Sequence, residues 1–138
     1  MPRKFIYTPE QEAWLTDLET TDAPQTTAKL HTENGFCCLG RACIVFKTPQ
    51  TSWINEDGID VFSYEGESGP APQSIVDKLH LFTNEGKPRI ETKNIECLVE
   101  LNDAGKTFKE IAAIIRAHPW RYFRRDALGT IATNVENN

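Results

Sequence analysis

Residues 101–115 read Leu101-Asn102-Asp103-Ala104-Gly105-Lys106-Thr107-Phe108-Lys109-Glu110-Ile111-Ala112-Ala113-Ile114-Ile115. Thr107 stands three places before Glu110, the spacing of a capping box. The hydroxyl takes an amide three residues on, and the carboxylate reaches back to the cap amide. Ile111, Ala112, Ile114 and Ile115 then supply an apolar stripe, and the pattern predicts a helix over 107–116. Upstream, Ile95, Leu98, Val99 and Leu101 repeat the helical spacing and predict a helix over 92–102. It stops at Asn102-Asp103-Ala104-Gly105. The two form a helix hairpin.

Outward from this hairpin the chain carries more helices and a separate group of strands. Thr8-Pro9-Glu10-Gln11-Glu12 is a helix start, with Thr as cap, Pro at the first position and acids in the first turn. Ala13, Trp14, Leu15 and Leu18 give that helix, over 9–20, one apolar face. Cys38 to Phe46 is apolar except for Arg41 and short enough for either a strand or a buried helix; a short helix packed against the first is the favoured reading. Pro72 opens another over 72–81, with Ile75, Val76, Leu79 and Leu81 on one side. His118-Pro119 marks a boundary, after which Trp120, Phe123 and Ala127 suggest a last helix. The β-branched residues and the Glu33-Asn34-Gly35 turn predict a hairpin over 25–36. Ile59-Asp60-Val61-Phe62-Ser63-Tyr64 alternates apolar and polar, the mark of a strand with one buried face. No β-α-β alternation occurs. The expectation is an α+β fold, one domain over 1–138, with a small antiparallel sheet from 25–36 and 52–64 under four to five helices.

Twenty acidic and fifteen basic residues give a net charge of −5. That balance argues against a chain that coats itself with nucleic acid. The charge is uneven. Arg116, Arg121, Arg124 and Arg125 lie in ten residues without a carboxylate, leaving eleven basic and twenty acidic groups elsewhere. This segment is the candidate anion-binding surface. The longest apolar run, residues 111–115, is far short of the roughly 20 that a membrane span needs. The N-terminus has no signal-peptide pattern, so the expected location is the cytoplasm.

Cys37, Cys38 and Cys43 crowd into seven residues, with Cys97 apart. With His31 they make four possible metal ligands. The C-C-x4-C spacing is not that of paired C-x2-C zinc knuckles, and Phe36, Leu39, Ile44, Val45 and Phe46 surround it. Buried, reduced, metal-free thiols are the expectation, and no cofactor is expected.

Gly35-Phe36-Cys37-Cys38-Leu39-Gly40, with Cys43 following, resembles the CCLG signature of a family of small proteins in tailed-phage genomes. A glutamine-containing segment before it (Gln25 to Leu30) fits the same pattern. So do Ala71-Pro72 with Leu79-His80-Leu81, and a terminal Leu101-Asn102-Asp103-x-Gly105-x-Thr107-Phe108-x-x-Ile111-Ala112. The resemblance runs from about 25 to 117. It departs at His80, where such proteins have Gly, at Arg41, and in the arginine-rich extension 118–138. It implies phage origin, no particular chemistry, and a structural role for Cys37, Cys38, Leu39, Gly40, Cys43, Leu101, Asn102, Asp103, Gly105, Thr107 and Glu110.

An enzyme is not expected. His31, His80 and His118 lie in separate segments, no Ser/His/Asp or Cys/His set can be placed by spacing, and no phosphate-cradling glycine loop occurs. The leading reading is a non-enzymatic binding protein in the host cytoplasm. It would inhibit a host defence or regulatory protein, or sequester a signalling nucleotide. Its candidate anchors are Arg116, Trp120, Arg121, Arg124 and Arg125, with Trp53 a lesser one. Trp120 reads equally as a core residue. The alternative is a DNA-binding helix-turn-helix over 92–128, whose third helix would carry Arg121, Arg124 and Arg125.

Overall fold

In the computed structural model, which describes residues 4–90 and 95–134, the chain is an α+β domain. Its helices are α1 (Pro9–Thr20), α2 (Cys38–Val45), α3 (Gln73–Leu79), α4 (Leu98–Asp103), α5 (Phe108–Ala117) and α6 (Pro119–Tyr122). A 3-10 turn spans Ala132–Asn134. The strands β1 (His31–Thr32), β2 (Gly35–Phe36), β3 (Gln50–Ile54) and β4 (Asp60–Tyr64) form one antiparallel sheet in the order β2-β1-β4-β3.

α1 lies at the centre of the helical layer, packed on α2, α3 and α5. Its buried positions are Gln11, Trp14, Leu15 and Leu18, the i, i+3, i+4, i+7 stripe. Ala13, expected on that face, is exposed, and Gln11 holds the place. Gln11 also completes the cap, since Thr8 N–H donates to its Oε1 at 2.9 Å and its own N–H donates to Thr8 Oγ1 at 3.0 Å. Its Nε2 donates to the carbonyls of Leu79 and Arg125, both at 3.0 Å, which ties three segments to one buried side chain. At the other end Arg41 of α2 grips Asp17 of α1 with two bonds of 2.9 and 2.8 Å.

Besides α3, which loses one residue at its start and two at its end against the expected 72–81, three expected elements came out shorter. The segment 25–36 forms strand only at 31–32 and 35–36, with an isolated parallel bridge of Gln25 to Phe36. Between them the amides go elsewhere, Leu30 N–H to Ser68 C=O and Ala28 N–H to a side chain of α4. The helix expected over 92–102 begins at Leu98. Cys97 N–H is taken by Glu100 Oε1 at 3.1 Å, and the Tyr122 hydroxyl holds Glu96 C=O at 3.1 Å outside the helix. The part of that expectation at 92–94 lies outside the described residues. The last helix ends at Tyr122, because Phe123 is extended and bridges Leu81, while Arg124 N–H donates to His80 C=O at 2.7 Å.

Candidate functional site

The motif segments are joined by hydrogen bonds into one clasp. Asn102, 1% exposed at the end of α4, accepts at Oδ1 from Cys38 N–H (3.1 Å) and Gln25 Nε2 (2.8 Å). Its Nδ2 donates to Thr26 C=O at 2.8 Å. Next to it, Asp103 Oδ1 accepts from the N–H of Ala28, a residue held at φ +68°. Trp14 Nε1 donates to Cys38 C=O at 2.9 Å and brings α1 into the same knot. Gly40 lets α2 lie against the preceding loop: a Cβ there would stand 1.9 Å from Leu30 C=O. Cys37 caps α2, its Sγ accepting from Gly40 N–H at 3.3 Å. Thr107 and Glu110 make the reciprocal cap read from their spacing, with bonds of 2.9 and 3.1 Å.

All four cysteines are buried free thiols. Burial pushes the Cys37 and Cys97 thiols up to about 11 and Cys43 up to about 12, and raises Cys38 as well. The helix-cap bond to Cys37 opposes this and loses. Protonated thiols are poor nucleophiles and poor ligands. Among the described residues, no three His, Cys, Asp or Glu side chains converge as a metal would require. His31 is engaged elsewhere. Its ring lies between Phe36 (3.9 Å) and Phe62 (4.1 Å), and its Nδ1 is bonded to the Tyr64 hydroxyl at 2.7 Å. A cavity of about 350 Å³ beside the clasp is lined by Lys29, Cys37, Asn84, Glu85 and Asp103 among others. Its lining carries charges of both signs.

The arginine segment does not form one surface. Arg116 is spent internally, its guanidinium bonded to Glu19 (2.6 and 3.0 Å) and Glu12 (2.6 and 3.2 Å) and laid over the Tyr7 ring. Trp120 is 2% exposed and packs edge-on against Phe5 at 4.7 Å, so it is core and not an exposed anchor. Arg121 is half-buried. Arg124 is also half-buried, its Nε donating to Leu81 C=O at 3.1 Å. Arg125 is exposed. Among the described residues, no third helix carries Arg124 and Arg125 as the helix-turn-helix reading needs. α6 is a single turn whose Trp120 and Tyr122 are buried, and Arg124 and Arg125 lie beyond it. A reader helix needs a face free to enter the groove.

Beyond α6 the chain builds a turn that the sequence reading passed over. Asp126, 2% exposed, accepts at Oδ1 from Leu128 N–H (3.1 Å) and Thr130 N–H (2.9 Å), and at Oδ2 from Ile6 N–H (3.4 Å). Ala127 N–H donates to Ile6 C=O at 2.7 Å, Arg125 bridges Ile131, and Gly129 supplies φ +79°. The framework holds Leu128 out at 74% exposure, with exposed Ile6, Ile131 and Arg125 at the same corner. Aspartate followed by glycine three residues later is a turn signal, and Asp126 with Gly129 was the available cue.

A family model described as a domain of unknown function, DUF8296, matches residues 9–119, which is 111 of the 138 residues. The chain belongs to the DUF8296 family. No curated protein and no solved structure matches it. Within the DUF8296 match lie α1 to α5, the whole sheet and the clasp. Nearly all of α6, the Asp126 turn and the 3-10 turn fall beyond it. The exposed corner at 124–131 is held to the DUF8296 region by bonds to Gln11, His80 and Leu81. Among the described residues, no helix is long and apolar enough to cross a membrane.

Proposed function

We propose that this protein is a phage-encoded, non-enzymatic binding protein that acts on a host protein in the host cytoplasm, docking through the turn at 124–131. The observation that carries the reading is Leu128, held 74% exposed by a buried aspartate that accepts three backbone N–H groups. A fixed turn loses little conformational freedom on binding, so an apolar tip on one is a preorganised anchor. Arg125 beside it suits an acidic rim, and the matching surface is an apolar pocket flanked by carboxylates. The phage origin rests on the motif resemblance. A nucleotide sponge has less support, because Arg116 is neutralised by Glu12 and Glu19 and Arg124 points its Nε at a carbonyl.

The test is affinity capture from host lysate with the wild-type chain, Leu128→Asp and Arg125→Glu, identifying retained proteins and nucleotides. A host protein retained by the wild type and lost with both variants supports the reading. Equal retention by all three, or retention of nucleotide alone, overturns it.

A further inference from the structure

β3 is the last strand of the sheet, no strand among the described residues pairs with its outer edge, and its hydrogen-bonding pattern can be read from both ends. Asn55 N–H donates to Ile59 C=O at 3.0 Å, which makes this a hydrogen-bonded pair. Tyr64 exchanges its N–H and C=O with Glu67 (2.8 and 3.0 Å), so its pairing with Gln50 is a non-hydrogen-bonded one. Alternation along an antiparallel ladder then directs the amides and carbonyls of Thr51 and Trp53 into β4. Those of Gln50, Ser52 and Ile54 point outward. All five β3 residues are exposed, Trp53 at 44% and Ile54 at 68%. Edge strands are usually protected by a charge, a proline or a bulge within them. Gln50-Thr51-Ser52-Trp53-Ile54 has none of these.

We propose that this edge pairs with the same edge of a second copy, antiparallel, about a two-fold axis at Ser52. Ser52 then faces Ser52 of the second copy and Gln50 faces Ile54, so the outward groups meet in mutually bonded pairs. Trp53 stands opposite Thr51 on one face, covering surface that is open in the single chain. The flanking charges select this arrangement. Lys47 lies at one end of the strand and Glu56 and Asp57 at the other, all exposed. Antiparallel pairing sets Lys47 of each copy beside the acidic turn of the other, whereas parallel pairing sets like against like. A two-fold contact of this kind closes on itself and does not propagate. It is independent of the docking turn at 124–131.

Sedimentation velocity of the full chain, from micromolar to millimolar concentration, reads the association directly. Ser52→Pro removes an outward N–H while leaving the β3–β4 ladder intact, and should raise the dimer dissociation constant roughly tenfold or more. Lys47→Asp and Asp57→Lys should each weaken the dimer, and the double exchange should restore it. Amide exchange should slow with concentration at Gln50, Ser52 and Ile54 and stay unchanged at Thr51 and Trp53. A chain monomeric at every concentration overturns the proposal. So does a dimer indifferent to Ser52→Pro, or one in which the charge exchange fails to restore association.

Discussion

Asn102 Oδ1 lies 3.1 Å from the Cys38 amide, 64 positions away in sequence, and this one bond joins the two halves of the motif. The same oxygen accepts from Gln25, and the amide nitrogen holds Thr26. One buried side chain therefore satisfies three polar groups in two distant segments, the Cys38 amide, the Gln25 side-chain amide and the Thr26 carbonyl. The motif is a fastening in which Asn102 is buried, while Asp103, Thr107 and Glu110 are exposed.

Asn102→Ala should be among the most damaging single changes. It leaves the Cys38 amide and the Thr26 carbonyl without partners. Each stranded group costs about 1–3 kcal/mol, for a loss of about 3 kcal/mol or more. Chemical denaturation measures this, and a loss below about 1 kcal/mol would contradict the clasp.

Gly40→Ala tests a close approach. Ala is the better helix former, and on propensity alone the change would stabilise by about 1 kcal/mol. The Cβ would sit 1.9 Å from Leu30 C=O, and that carbonyl is fixed by the Cys37 amide at 2.9 Å. Overpacking should win, with a net loss towards the upper end of roughly 1–3 kcal/mol. A rise in melting temperature would refute it.

His80→Gly should stabilise. His80 closes α3 at φ +58°, the left-handed conformation that suits glycine, and its buried Nδ1 has no hydrogen-bond partner. Relief of the backbone should contribute about 0.5–1 kcal/mol. A destabilised variant would mean that the imidazole packs well enough to outweigh the strain.

Stability should fall as pH drops from neutrality, before the carboxylates titrate. Burial holds His31, His80 and His118 below the ordinary 6.5, with Arg41 adding to the effect at His31, Arg124 and Arg125 at His80, and Arg121 at His118. Below 6.5 the unfolded chain takes up protons first, so stability is full above that value and is lost as pH falls towards the folded-state values. Glu12, held low chiefly by its bonds to Arg116, extends the loss below its ordinary 4.5. A nuclear magnetic resonance titration of the His31 ring should give a midpoint under 6.5. A midpoint at or above 6.5 would be inconsistent with the stack between Phe36 and Phe62.

Trp120 and Arg125 should separate cleanly. Truncating the buried indole to alanine should cost about 3–5 kcal/mol, a large part of a typical domain's stability. Arg125→Ala, at an exposed position, should stay within about 0.5 kcal/mol. Equal effects in thermal unfolding would contradict the division of this segment into core and surface.

Local chemistry decided most of the helices. The caps at Thr8 and Thr107, the proline starts and the 3.6-residue stripes act within one turn, so α1, α3 and α5 were legible to within one or two residues at each end, while the apolar run at 38–46 fitted strand or helix until α2 formed. The alternation at 59–64 marked β4 for the same reason. Long-range partners decided the rest. β-branched residues at 25–30 favour a strand, but Asp103 and Ser68 capture the Ala28 and Leu30 amides, and only Gln25 keeps a bridge, to Phe36. The arginine cluster looked like one basic surface because sequence records charge without its partners. Folding places Glu12 and Glu19 against Arg116, about a hundred residues away in the chain. It also turns Trp120 inward onto Phe5. The exposed corner at Leu128 depends on a carboxylate that reaches Ile6 across 120 positions. Local spacing carries the elements of this protein, whereas which polar groups are already satisfied, and so which remain to meet a partner, is settled only when distant segments come together.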